Sequence, residues 1–173
     1  MRAAEFSVRE GAPADLERIT DIKVRSWAET YGSFLEPEVL RPFLDRNKQL
    51  AYIRQAAVRP TTTLLVAHDR AGLVVGFALA YLEPDSEPWL ESLHVDGDLR
   101  GHGIGTLLMR ALAAELKARG YKTLRLGVIV GNADAARLYE RLGATLVGVE
   151  PVSWAKGVPH EIYRWSDLTP LTT

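Results

Sequence analysis

From Arg100 onward every second residue is glycine over a short run, Arg100-Gly101-His102-Gly103-Ile104-Gly105. An apolar stretch that reads as a strand, Trp89 to Val95, comes before it. After it Ile104, Leu107, Leu108, Ala111, Leu112 and Leu116 form one helical stripe that Gly120 ends. A strand that turns through glycines into a helix aims several backbone N–H groups at one spot, reinforced by the positive end of the helix dipole. Such a spot suits a phosphate, because glycine accepts positive φ and lets a ligand approach the backbone. The same glycines also make an ordinary tight turn, so the run alone does not specify a ligand. Two nucleotide sites are excluded. A P-loop needs Lys and then Ser or Thr after its last glycine, and here Thr106-Leu107 follow. A dinucleotide fingerprint needs a third glycine where Thr106 stands and an early strand ahead, whereas a hairpin precedes this one.

The rest of the chain reads as alternating elements around that turn. Phe6, Val8 and Arg9 indicate a first strand, and Pro13 opens a helix carrying Leu16, Ile19, Val24 and Trp27. A second helical stretch follows Pro37 with Val39, Leu40, Phe43 and Leu44, and resumes from Leu50 to Val58. Thr61 to Ala67 and Leu73 to Leu82 form a hairpin about the turn His68–Gly72. Leu124 to Val130 reads as a buried strand, Asn132 to Leu142 as a helix stopped by Gly143, and Ala144–Val149 and Glu161–Trp165 as closing strands. This order is α+β with a mixed sheet, and residues 1–173 are expected to form a single domain.

Composition narrows the chemistry. The chain has no cysteine, which excludes disulfides, thiol catalysis and cysteine zinc sites, and its four histidines lack HExxH spacing, so no metal is expected. A net charge of -1 gives no basic field for nucleic acid or an anionic membrane surface. No segment approaches the ~20 apolar residues of a membrane span and the N-terminus lacks a signal-like run, so a cytoplasmic location is expected.

Leu93-His94-Val95, Arg100-x-x-Gly103-x-Gly105, Asn132-x-x-Ala135-x-x-x-Tyr139 and Leu142-Gly143, in that order, resemble the GNAT superfamily of acyl-CoA-dependent N-acyltransferases. The resemblance is strongest over residues 90–145. It extends more loosely to Val8-Arg9-Glu10 with Pro13-x-Asp15, and to Ser26-Trp27 with Tyr31. Ala144 departs from the family's usual Phe. The resemblance implies a mainly antiparallel central sheet of six to seven strands flanked by about four helices, and acetyl-CoA as cosubstrate. It implies that the backbone of Gly101, His102, Gly103, Ile104, Gly105 and Thr106 holds the pyrophosphate, with Arg100 opening the loop. Leu93, His94 and Val95 would bond the pantetheine arm, Asn132 its amide region with Ala135 in the same motif, and Tyr139 would sit beside the sulfur.

The reaction sets its own demands. An alkyl ammonium loses its proton near pKa ~10.4, so a base or a water path is needed, and a thiolate of pKa ~8.5 gains from a proton donor such as a phenol near ~10. Tyr139 has the donor chemistry; by position alone it also fits the edge of an amphipathic helix with Leu138 and Leu142 as core. Glu91 is the candidate base because alternation puts it on one strand face with Leu93 and Val95; a solvated or salt-bridged carboxylate is the plain alternative. His94 alternates to the other face as a packed histidine, and His102 is expected to be exposed. By resemblance Trp27, Tyr31 and Phe34 stand where the family builds its acceptor pocket, although helical spacing also suits Trp27 and Tyr31 as core. Trp154 and His160 flank the last connection as a rim.

The leading expectation is an enzyme acetylating a primary amine of a small molecule or peptide. The other class is a non-catalytic acyl-CoA-binding or regulatory domain. No dimer interface is legible, although homodimers are common among members of the family. Residues 98–125 carry a local charge of +4 at the proposed phosphate turn. Residues 83–96 carry five carboxylates and no Lys or Arg, from which a cationic acceptor is expected.

Overall fold

The apolar runs Thr62–His68 and Val74–Tyr81 pair antiparallel and are buried along nearly their whole length, as strands covered on both faces must be. In the computed structural model, which describes residues 5–172, they are β2 and β3 of a seven-stranded sheet ordered β1-β2-β3-β4-β5-β7-β6. The other strands are β1 (Ser7–Glu10), β4 (Trp89–Val95), β5 (Leu124–Ile129), β6 (Thr145–Pro151) and β7 (Pro159–Trp165). Every pairing is antiparallel except β4 with β5. Five α-helices flank the sheet: α1 (Leu16–Tyr31), α2 (Pro37–Leu44), α3 (Arg46–Ala57), α4 (Ile104–Ala118) and α5 (Ala133–Arg141). The fifth arises because the stretch after Pro37 is broken at Asp45, which leaves α2 extended and caps α3 by accepting from the Lys48 N–H at 3.1 Å.

Each face of the sheet has its own core. Ile104, Leu108, Met109, Leu112 and Leu116 seat α4 against Ala78, Leu90 and Leu126, with Tyr139 of α5 in the same cluster. Ile19, Ile22, Leu50 and Ile53 seat α1 and α3 against Val66, Phe77 and Leu79 on the opposite face. The buried α4 stripe is centred one residue away from the one read in the sequence, since Met109 and Ala113 are fully buried while Leu107 and Ala111 are only partly so. The pairing of Val8-Arg9 with Pro13-x-Asp15 also has a structural cause. The Arg9 guanidinium forks onto Asp15 at 2.7 and 3.0 Å, and the Asp15 carboxylate accepts from the Ala12 N–H, closing the entry to α1.

Two irregularities in β4 shape everything that follows. Leu79 opposes Ser92 and Ala80 opposes Leu90, so Glu91 is the extra residue of a β-bulge. On the other edge, β4 meets β5 only at Trp89–Arg125 and Leu90–Leu126. Beyond those two pairs the strands part, and the β5 side of residues 91–95 has no strand beside it. Among the described residues no helix is long and apolar enough to cross a membrane.

Candidate functional site

The parting of β4 and β5 opens a cleft of about 1350 Å³ that runs from the glycine turn to α1, α3 and the β6–β7 connection. At its first end Gly101 and Gly103 have φ of +82° and +81°, and a Cβ on either would meet no atom within 4 Å. Glycine is therefore required there by backbone conformation, and the side facing the cleft is open. The first internal bond of α4 runs from the Leu107 N–H to the Gly103 carbonyl at 3.0 Å. Among the described residues, the N–H groups from Gly101 to Thr106 meet no acceptor. Arg100 lines this end and pairs with Glu29 at 3.3 Å. Leu93, His94, Val95, Ile104, Gly105 and Thr106 also line the cleft.

His102 does not line it. Its Nδ1 engages the carbonyls of Leu99 and Arg100, and its ring stands edge-on to Phe6, so only its backbone belongs to the turn. This corrects the expectation of an exposed side chain, since the imidazole is half-buried.

Asn132 and Tyr139 bracket α5 from the cleft side. The Asn132 Oδ1 caps α5 by accepting from the Ala135 N–H at 3.3 Å, and its Nδ2 donates to the Tyr31 hydroxyl at 3.1 Å. Both ends of the amide thus act within the protein, tying α1 to α5. Tyr139 is the buried residue of α5, while Leu138 and Leu142 are only partly covered, so the helix edge read in the sequence is its inner face. Burial, and secondarily the neighbouring Tyr31 phenol, raise the Tyr139 pKa well above the usual phenol value. Tyr31 is likewise raised by burial, opposed by its bond to Asn132.

Glu91 is not on the face of Leu93 and Val95. Those two pack toward α4, whereas the bulge leaves Glu91 on the α1–α3 side, where its carboxylate accepts from Trp89 Nε1 at 3.0 Å and the Tyr52 hydroxyl at 3.2 Å. Tyr52 shares a second hydrogen bond with the Tyr81 hydroxyl. An inserted residue reverses the alternation after it, and neither Gly nor Pro marks this one in the sequence. His94 behaves as a packed histidine: it bonds Ser26 Oγ at 2.8 Å and lies against Phe77, and burial pushes its pKa down to about 3.

The far end is aromatic. Trp27 stacks on Phe43 with centroids 3.9 Å apart, and Trp154 stands edge-on to both. Trp27 and Tyr31 are 8% exposed and serve as core and wall together, while Phe34 and Trp154, at 41% and 45%, form the mouth. Phe43, Tyr52 and Lys23 also line the cleft and were not among the site residues expected from the sequence, where Phe43 was read only as part of a helix. Lys23 is 4% exposed in the middle of α1, with Nζ 4.5 Å from the centroid of the Tyr52 ring.

The acidic stretch 83–96 proves to be largely neutralised. Glu83 pairs with Arg59, Glu87 with Arg164, and Asp96 with Arg18 and Arg25. Glu91 is the carboxylate of that stretch that lines the cleft. The expectation of a cationic acceptor amine therefore rests on Glu91 alone rather than on a field of five carboxylates.

The acetyltransferase (GNAT) family matches residues 18–144. The L-methionine sulfoximine/L-methionine sulfone acetyltransferase of Pseudomonas paraeruginosa is 31% identical over 170 residues, 94% of this chain and 91% of that protein. A [ribosomal protein bS18]-alanine N-acetyltransferase of Salmonella typhimurium is 40% identical over 79 residues, 46% of this chain and 51% of its own. In fold, the PaiA N-acetyltransferase of Thermoplasma acidophilum, solved with coenzyme A, aligns with a TM-score of 0.75 at 18% identity, covering 92% of this chain and 97% of that one.

Proposed function

The chain belongs to the acetyltransferase (GNAT) family, and from that premise we propose that its cleft carries acetyl from acetyl-CoA to a primary amine by direct attack in a ternary complex. The observation that carries the reading is a convergence. An unpaired strand edge, a turn of free N–H groups and a buried phenol face one cleft. Coenzyme A is an extended amide chain ending in phosphates, and these features suit it in that order. The N–H groups from Gly101 to Thr106 bind the pyrophosphate at the N-terminus of α4, with Arg100 beside them. The open edge of Leu93 to Val95 bonds the pantetheine amides as a strand would, and an N–H near Val95 polarises the thioester carbonyl. Asn132 acts as a positioning residue that holds Tyr31 and the start of α5, and Ala135 keeps the wall small one turn before Tyr139.

Acetyl-CoA supplies the acetyl group as a thioester. Glu91 takes the proton that the acceptor ammonium must lose, directly or through water, while Tyr52 and Trp89 fix its carboxylate. The amine nitrogen then bonds to the carbonyl carbon and the C–S bond breaks. Tyr139 keeps its proton at neutral pH, as an ordinary phenol does, and burial raises its pKa further. It donates a hydrogen bond to the departing sulfur, and since a thiol of pKa ~8.5 is the stronger acid, the stabilisation comes from that bond rather than from full proton transfer. The proton released by the amine balances the thiolate.

The test is turnover of acetyl-CoA against a panel of amines containing L-methionine sulfone, spermidine, an aminoglycoside and an alanine-initiated peptide. Thiol release should match the acetylated amine found by mass spectrometry. Acetyl-CoA binding with no amine acetylated would instead identify a non-catalytic acyl-CoA-binding domain.

A further inference from the structure

Lys23 is a buried ammonium without an anion. Among the described residues it makes no ion pair and no hydrogen bond, and its one partner is the face of Tyr52. Desolvating a cation in this way is costly unless something compensates it. Burial lowers its pKa to about 8, with Glu91 acting in the opposite sense, so it remains mostly charged near neutrality. The group opens onto the cleft. Across the same space stands the Glu91 carboxylate, close enough to influence Lys23 yet beyond ion-pair distance. The other groups around them add no formal charge near neutrality: His94 is held neutral, burial lowers the pKa of His160, and Tyr52, Trp89 and Ser26 are uncharged. The cleft therefore holds a fixed cation and a fixed anion near each other and not ion-paired, next to the uncharged aromatic cluster of Trp27, Phe43 and Trp154.

We propose that Lys23 anchors the carboxylate of a free α-amino acid acceptor, whose amino group meets Glu91 and whose uncharged side chain lies toward Trp27, Phe43 and Trp154. The inference rests on acetyl transfer in this cleft and names the class of acceptor. An α-amino acid carries its amine and its carboxylate on one carbon, so a single small molecule answers both fixed charges at once. A polyamine would bring a second cation against Lys23, and like charges at a desolvated contact are strongly disfavoured. A protein N-terminus has an amide where the free carboxylate is needed.

The experiment compares L-methionine sulfone, L-leucine and L-phenylalanine with the same molecules lacking the carboxylate, 3-(methylsulfonyl)propylamine, 3-methylbutylamine and phenethylamine, with spermidine as a further arm. In the wild type, kcat/KM should favour the best amino acid over its carboxylate-free partner by on the order of 100-fold, the scale of a buried charge pair. Lys23→Met should bring that ratio near one through a higher acceptor KM, with the KM for acetyl-CoA unchanged. A wild type that uses the carboxylate-free amines or spermidine as well as the amino acids overturns the anchor while leaving acetyl transfer standing. So does a Lys23→Met variant that keeps the preference. A wild type that acetylates no amine overturns the functional reading itself. The wild-type comparison needs no variant and remains decisive if Lys23→Met fails to fold.

Discussion

The two ends of the cleft are built in opposite ways. The end proposed to hold phosphate comes from one continuous stretch, Arg100 to Thr106, and is made almost entirely of backbone, with two glycines at positive φ and the first turn of α4. The acceptor end is made of side chains that converge from α1, α2, α3, β4 and the connection after β6, with Lys23 and Trp154 more than a hundred residues apart. A backbone site tolerates many side chains but few conformations, and a side-chain site does the reverse. Under the proposed function, generic recognition of a phosphate chain and specific recognition of an acceptor would thus fall to different kinds of structure in one cavity.

Tyr139 stands between the two ends, and its replacement should have the largest effect. Tyr139→Phe is expected to lower kcat roughly 100- to 1,000-fold, the usual loss for removing one positioned hydrogen-bond donor to developing charge, with the KM for acetyl-CoA changed by no more than about 2-fold. A variant with wild-type kcat in a thiol-release assay would remove the donor role.

Next is the cost of the buried ammonium. The folded pKa of Lys23 is depressed from 10.5 to about 8, so below pH 8 both folded and unfolded chains carry the charge and the folded one bears the full penalty. Between pH 8 and 10.5 only the unfolded chain still holds the proton, and the penalty fades as pH rises. Lys23→Met should be more stable than wild type by on the order of 3 kcal/mol at pH 7, and the difference should close by pH 10.5 in urea unfolding monitored by fluorescence. Glu91 and His94 of β4 and Tyr52 of α3 face the lysine. A gap that stays constant from pH 7 to 10.5 would mean that they, rather than desolvation, set its state.

Gly103→Ala forces a side chain into the left-handed region at a cost of about 1–2 kcal/mol. It should weaken acetyl-CoA binding roughly 10-fold by calorimetry and leave the acceptor KM alone. Trp154→Ala, at the other end, should raise the acceptor KM by about 3- to 5-fold, the small loss expected of a half-exposed aromatic, with acetyl-CoA affinity untouched. If either change moved both parameters together, the division of the cleft into two ends would fail.

The same division governs what could be read before the fold was known. The glycine turn, the α4 stripe and the Asn132–Tyr139 spacing are local, so periodicity and motif order disclose them. The seven strands could be read one after another along the chain from the same signals, but not their order in the sheet, where β7 lies between β5 and β6. Glu91 was identified as a residue but assigned to the wrong face, because a bulge is decided by cross-strand register rather than by local composition. Lys23 and Tyr52 sit in amphipathic helices where a lysine or tyrosine ordinarily reads as the solvent side. Only the packing of α1 and α3 together over β2 and β3 makes them cavity wall. The acidic stretch misled for a related reason: its arginine partners lie dozens of residues away, on α1, ahead of β2 and on β7.

The parting of β4 from β5 has a consequence for folding as well as for chemistry. With two residue pairs across that junction, the sheet is a four-stranded block and a three-stranded block that meet at Trp89 and Leu90 and share the core in which α4 packs with Tyr139 of α5. A ligand lying along the gap contributes the missing rungs, so its binding energy is also cohesion between the blocks. Acetyl-CoA at 100 times its dissociation constant would add about 2.7 kcal/mol to the folded state. In hydrogen exchange, that gain should be concentrated in the amides of residues 91–95 and 125–129, the rims of the gap, rather than spread over the hairpin of β2 and β3.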